Sequence, residues 1–281
     1  MSALLGAIGA VTVAFGAWLG HRLAARGLTA RNALEGRQHL AWLLLAGVGA
    51  AFGVLNFRDR ITEIAWLDPL VGMYVEETVW PLATAIVGLA LGALLGLEWR
   101  GRSDTRRLRS LIGGTSVMVA GLGYIGWQTY PIADSLGPAL MTDGVVIQSS
   151  AYTCAPASIA TLMRLVGADT GASERKVARV AGTSREGTSG INELRAMKAF
   201  GLAPRFGRRL TVDSLIRVGR PAVLHVNEPA GAGTIRHAVA LLEIDAKAGT
   251  VVLGNPLQGR QVKRFSELKG YWFGDAIFVG R

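Results

Sequence analysis

The sequence predicts an α-helical membrane part of four spans over residues 1–130, then an α+β domain with an antiparallel sheet over 143–281, joined by a linker at 131–142. Three observations carry this reading. Half of the 281 residues are apolar and the mean hydropathy is positive, which is more than an ordinary soluble chain carries. The apolar residues of the first half fall in runs close to the roughly 20 residues that a helix needs to cross hydrocarbon. Past residue 143 those runs give way to helix patterns first and strand patterns afterwards, the segregation of an α+β domain. A stretch of about 140 residues suffices for a core of its own.

The four runs lie at 2–20, 40–57, 79–97 and 110–127. The first has no basic start and no small-x-small cleavage site, so it reads as a retained span and not as a signal peptide. In the third, Gly88, Gly92 and Gly96 recur every four residues, a spacing that lets membrane helices approach closely. Glycine is also commoner in membrane helices generally, so composition is an equal account. The second run has Ala46, Gly47, Gly49, Ala50 and Ala51, and the fourth, with Gly113, Gly114, Thr115, Ser116, Gly121, Gly123 and Gly126, is the least apolar. Trp66, Trp80 and Trp127 are expected near span ends, where indole favours the interface, and 61–74 along the outer membrane surface.

Orientation follows from the basic residues that cytoplasmic loops retain. Arg22, Arg26, Arg31 and Arg37 fill the first loop and Arg100, Arg102, Arg106, Arg107 and Arg109 the third, against only Arg58 and Arg60 in the second. Loops one and three are therefore expected in the cytoplasm. That places both termini and the C-terminal domain outside the bacterial inner membrane, in the periplasm of a Gram-negative cell. A fourth run that failed to cross would move the domain to the cytoplasm. The net charge of +10 is not interleaved with aromatics, so nucleic acid is not expected as a partner.

In the second half, helices are expected from Thr153, as a cap, to about Leu165, then over 173–181, 191–200 and 211–218, with a loop at 182–190. Strands follow at 221–226, 238–244, 251–253 and 276–279.

Chemistry centres on Gln148-Ser-Ser-Ala-Tyr-Thr-Cys154-Ala-Pro-Ala-Ser-Ile-Ala, which holds the only cysteine. A single cysteine excludes an internal disulfide and any Cys-rich zinc site, and neither metal nor cofactor is expected. A lone cysteine is ordinarily a buried, inert small hydrophobe. At a helix start, however, the unpaired amides and dipole favour a thiolate and are expected to lower its pKa. A thiolate nucleophile needs a base, an orienting group behind it, and donors for the developing oxyanion. Only His225 and His237 can be a histidine base in this half. His237 opens an apolar strand after the Gly-rich 231–236, whereas His225 sits inside one and reads as structural. Asn255, in Gly254-Asn255-Pro256, and Asp245 are the candidate orienters, although an Asn-Pro pair is by itself a turn signal. The stretch 228–235 reads as a loop bordering the cleft, or as a surface hairpin.

Together the Gln148 to Cys154 segment, Gly187-Thr-Ser, Arg220-Pro-Ala-Val-Leu-His, His237-Ala-Val-Ala-Leu and Asn255-Pro-Leu-Gln-Gly resemble the bacteriocin-processing cysteine peptidases. These are papain-like proteases, best known as N-terminal domains of exporters, that cut double-glycine leader peptides. The resemblance covers about 143–281 in family order. It implies Cys154 as nucleophile, His237 as base, Asn255 as orienter, and Gln148 with the Cys154 backbone N–H as oxyanion hole. Two positions depart from the pattern: Ala155 stands where the family usually has glycine, and Asn255 where aspartate is more frequent.

The expected activity is a membrane-anchored cysteine endopeptidase that cleaves an exported or secreted polypeptide through a thioester, after small residues such as double glycine. The alternative is a degenerate domain that binds leader peptides for a separate transporter. Acyl transfer would share the same acyl-enzyme. No Gly-x-x-x-x-Gly-Lys-Ser/Thr run is present, so ATP-driven export is not expected of this chain alone. The expected partners are a polypeptide substrate, membrane lipid, and a separate exporter or secretion component.

Overall fold

The computed structural model describes residues 2–28, 46–47, 49–50, 53, 69–101 and 104–280. The chain divides into two compact units, 1–130 and 131–281.

The first unit contains α1 (Ser2–Ala25), α2 (Pro69–Gly101) and α3 (Asp104–Thr129). Among the described residues two helical stretches, Leu4–Ala25 and Val71–Trp99, are long and apolar enough to cross a membrane. The second expected span, 40–57, lies outside the described residues but for five positions. The fourth, 110–127, falls inside α3, whose side chains are described only in part. The third starts earlier than expected: α2 begins at Pro69 and its apolar stretch at Val71, so 69–74 is helical and Trp80 falls well inside the stretch, while 61–68 of the expected surface segment lie outside the described residues.

Helices α1 and α2 meet through glycine. A methyl group at Gly92 would collide with the Val13 carbonyl and one at Gly96 with that of Ala17, while Gly16 and Gly20 abut the Leu89 and Ala93 carbonyls in return. The repeat is thus a packing device, because any Cβ would push the two backbones apart.

In the second unit, β1 (Leu140–Thr142) and β2 (Val145–Ile147) form a hairpin. Its turn residues, Asp143 and Gly144, both have positive φ, as a tight two-residue turn requires. The expected linker is therefore structured. It includes a 3-10 turn at Ala133–Ser135, and Ile132, Ala133 and Leu136 pack against Ala178. The apolar spacing missed this because the segment is short and broken by Pro131 and Gly137.

Helices α4 (Cys154–Leu165), α5 (Glu174–Ala181), α6 (Gly190–Ala199) and α7 (Val212–Val218) match the expected positions within a residue or two. The remaining strands are β3 (Arg205–Gly207), β4 (Ala222–Ala230), β5 (Gly233–Asp245), β6 (Thr250–Asn255), β7 (Gly259–Arg264) and β8 (Trp272–Phe278). They form one antiparallel sheet in the order β3-β8-β4-β5-β6-β7. Alternate residues Ala222, Leu224 and Val226 of β4 and Val239 and Leu241 of β5 join Val251, Leu253 and Phe278 in a core on one face of the sheet. Helix α4 contacts β5, β2 and α5, and nine consecutive residues from Ala155 to Met163 are buried.

Two strand expectations change. The stretch 228–235 is the end of a hairpin, since β4 and β5 stay paired to Ala230 opposite Gly233. Hence His237 lies within β5 and does not open it. Strand β7, Gly-Arg-Gln-Val-Lys-Arg, has an exposed, basic alternate face that concealed it in the sequence.

Candidate functional site

Cys154 is the first residue of α4 and is half-buried. Thr153 stands at the cap position without a side-chain capping bond, because its hydroxyl turns to the Ser150 carbonyl (2.9 Å) and to Glu174. The expected lowering of the thiol pKa does not occur. The residue keeps some surface, yet enough protein surrounds the thiol that burial dominates and pushes its pKa up to about 11. The Ala238 backbone opposes this, the Glu193 charge adds to it, and the backbone N–H groups of Ala155 and Cys154 oppose it again. The helix start does favour the anion, but desolvation is the larger effect. The resting group at neutral pH is a protonated thiol.

His237 and Asn255 are brought together. His237 sits opposite Val226 on β5 and is 4% exposed, and Asn255 ends β6 fully buried. The ring Nε2 lies 3.0 Å from Asn255 Oδ1. The Leu257 N–H donates to that same oxygen over 3.0 Å, which fixes the amide orientation, since an N–H needs an acceptor. Nε2 therefore carries the proton and donates, and Nδ1 keeps its lone pair. Burial lowers the His237 pKa below its ordinary 6.5, opposed by the Asn255 hydrogen bond and the Glu228 charge, so the imidazole rests neutral at pH 7.

Cys154 reaches this strand through Ala238, the residue after His237, whose backbone interacts with the thiol. The Ser158 hydroxyl, one turn further along α4, donates to the Ala238 carbonyl over 3.0 Å. The helix is thus fastened to the strand at the base. Among the described residues no hydrogen bond joins the thiol to the imidazole in this state.

Gln148 follows β2. Its backbone N–H donates to the Pro256 carbonyl (3.0 Å), which ties the segment before Cys154 to the residue after Asn255. One N–H of its side-chain amide goes to the Ser150 carbonyl (2.8 Å), and the second remains available. Gln148 Oε1 and Asn255 Nδ2 are both buried without a protein partner among the described residues.

Of the other candidates, Asp245 is elsewhere: its carboxylate accepts the Lys247 and Ala248 N–H groups in the turn after β5. His225 is held by Glu193 of α6, with Nε2 3.1 Å from Oε2. Burial pulls its pKa down, but the charge and hydrogen bond of Glu193, with help from Asp275, carry it above 6.5.

Three buried carboxylates escaped the sequence reading. Glu174, first residue of α5, accepts the Ser149 N–H and hydroxyl, both at 2.8 Å, and the Thr153 hydroxyl. Glu193 holds His225. Glu228 accepts from Tyr271 Oη (2.7 Å) and Gln258 Nε2 (3.2 Å) on the face that carries His237. Alternation along β4 would have put Glu228 on the core face with residues 222, 224 and 226. For Glu174 and Glu193 the helix patterns gave no signal. Among the described residues no group of three or more His, Cys, Asp or Glu could hold a metal ion.

No family model matches the chain. It is 29% identical over 137 residues to an uncharacterized protein of Methanothermobacter marburgensis, covering 49% of this chain and 88% of that one. An uncharacterized protein of Methanothermobacter thermautotrophicus is 25% identical over 154 residues, covering 55% and 97%. Among solved structures, the peptidase domain of Streptococcus ComA, a bifunctional ABC transporter of a quorum-sensing pathway, is similar with a TM-score of 0.42, 19% identity, and coverage of 48% of this chain and 96% of that one. A double glycine motif protease from an AMS/PCAT transporter, in complex with its leader peptide, gives a TM-score of 0.41, 21% identity, and coverage of 51% and 98%.

Proposed function

We propose that residues 131–281 form a cysteine endopeptidase with Cys154 as nucleophile, His237 as general base and Asn255 as its orienter. The observation that carries this reading is the Nε2 to Asn255 Oδ1 bond at 3.0 Å, which leaves Nδ1 basic on the strand whose next residue contacts the thiol. A thiol near 11 and a depressed imidazole start as a neutral pair, so the proton moves to Nδ1 as sulfur attacks the scissile carbonyl. Asn255 holds the ring against rotation while it is protonated. The developing oxyanion takes the backbone N–H of Cys154 and the second amide N–H of Gln148. Collapse expels the amine, which leaves with the proton from His237, and a thioester remains. Water, deprotonated by the same nitrogen, then hydrolyses the thioester and restores the thiol.

By resemblance the substrate is an exported or secreted polypeptide cut after small residues such as double glycine. The apolar stretches Leu4–Ala25 and Val71–Trp99 support a membrane anchor, for which the reading takes four spans, with the peptidase unit outside and close to a separate exporter or secretion component.

A second reading, a binding module for leader peptides, is favoured by the raised thiol and by the uncharged Asn255. Iodoacetamide alkylation of the full chain at pH 7 separates the two. The peptidase reading expects His237→Ala to slow labelling of Cys154 at least tenfold, while Cys154→Ala abolishes labelling. Equal rates with and without His237 would refute the peptidase reading.

A further inference from the structure

We propose that Glu228 is a positioning residue for His237, a buried carboxylate on the same sheet face that stabilises the protonated ring where Asn255 brings no charge. The proposal rests on the peptidase reading above. The register makes the placement definite. Val226 pairs with His237 and Glu228 with Ile235, so Glu228 and His237 are diagonal neighbours on one face of the β4–β5 ladder, within reach of long side chains.

Glu228 is only 3% exposed, so its field on the imidazole is weakly screened. It is also held in place. Tyr271 Oη donates to Oε2 and Gln258 Nε2 to Oε1, and the Gln258 backbone N–H donates to the Asn255 carbonyl over 3.1 Å. One chain of hydrogen bonds thereby fixes the orienter and the charge together. Burial and this carboxylate push the Tyr271 hydroxyl far above its ordinary range, which keeps it a donor.

The other charged and titratable groups nearby do not do the same work. Lys263 of β7 lies over the Tyr271 ring at 4.5 Å, and Arg236, on the opposite face of β5, lies over Phe273 at 5.4 Å. From α6, Glu193 bonds His225 and acts on Cys154, and Asp275 of β8 acts on His225. Among the described residues the groups acting on the His237 ring are Asn255 and Glu228, and of the two Glu228 is the one acting through charge.

The chemistry follows from the order of protonation. Attack turns a neutral thiol and neutral imidazole into a forming C–S bond and an imidazolium, so a nearby carboxylate lowers the energy of that state relative to the resting pair. Reaction of the thiol with iodoacetamide draws on the same transfer: sulfur gains carbon, iodide leaves, and the proton resides on Nδ1.

The test is the pH profile of iodoacetamide labelling for the full-length chain and Glu228→Gln. Gln retains the size and an oxygen for Tyr271 or Gln258 but removes the charge. With that charge gone, labelling at pH 7 is expected to fall about tenfold, equivalent to about 1.4 kcal/mol of lost stabilisation of the imidazolium state. The two curves should converge as pH rises towards 11, where hydroxide removes the proton without the histidine. A merely structural role would depress labelling across the whole range or leave it unaltered, and either result overturns the proposal. If Glu228→Gln does not fold, Glu228→Asp keeps the charge but retracts it, and should give a smaller fall with the same convergence; a profile superimposable on wild type would overturn the proposal there too. Loss of the charge effect with His237 dependence intact refutes Glu228 alone, whereas loss of His237 dependence in the parent refutes the underlying site.

Discussion

Glu174 organises the six residues from Gln148 to Thr153, and replacing it with glutamine should loosen that segment by a measurable amount. The carboxylate is 1% exposed and accepts two bonds from Ser149, each 2.8 Å, plus the Thr153 hydroxyl, whose single proton it shares with the Ser150 carbonyl. Glu174→Gln keeps one oxygen and turns an NH2 group towards at least one of these donors. One hydrogen bond to a charged group, worth about 1.5–3 kcal/mol, is lost and a donor is left facing a donor. A local cost of about 3 kcal/mol follows, equivalent to roughly a hundredfold in an opening equilibrium. Hydrogen exchange followed by mass spectrometry of peptides covering 148–154 reads that opening directly. Protection there should fall about a hundredfold, with β4 and β5 far less affected. Protection within threefold of the parent would mean that α4 and the Pro256 carbonyl hold the segment without Glu174, and the reasoning would fail.

Two further outcomes follow from the electrostatics and from the membrane part. His225 has its pKa raised in the folded state, so the stability it contributes is full below its ordinary 6.5 and is lost as pH climbs through the raised folded value. Removing it by His225→Gln should lower Tm by about 2–4 °C near pH 6, the shift expected for a loss of about 1 kcal/mol from a partly solvated pair, and by less at pH 9; a Tm difference that grows with pH would contradict the assigned sign. For topology, alkaline phosphatase fused after Arg281 should be active if α3 crosses the membrane as expected from the loop charges, and an inactive but expressed fusion would place residues 131–281 in the cytoplasm.

What the sequence made legible and what it hid divide along physical lines. Helices α4 to α7 announce themselves through apolar spacing and local start and stop residues, such as Ser173, whose side chain accepts the Lys176 N–H, and Gly182, which ends α5 at positive φ. Cys154, His237, Asn255 and Gln148 stand out in the sequence because the roles proposed for them demand particular residue types, and the fold sets them at the end of β2, the start of α4, in β5 and at the end of β6. The pKa of Cys154 was not legible, because a helix start is a local property while desolvation depends on everything packed around it.

The buried carboxylates were hidden for a related reason. Glu174, Glu193 and Glu228 look like ordinary surface acids until distant partners arrive: Ser149 from 25 residues away, His225 from 32, and Tyr271 from 43. Their placement also bears on Asn255. An asparagine can orient a ring but brings no charge to it, so a negative group from another element would further stabilise the imidazolium that the proposed mechanism forms. Glu193 is unsuited to that task, since it is engaged with His225 and its charge raises the thiol pKa, disfavouring the nucleophile. Glu228 acts in the productive direction on the base. On the proposal that Glu228 supplies the charge Asn255 lacks, an Asn255→Asp change should matter more in a Glu228→Gln background than in the parent chain.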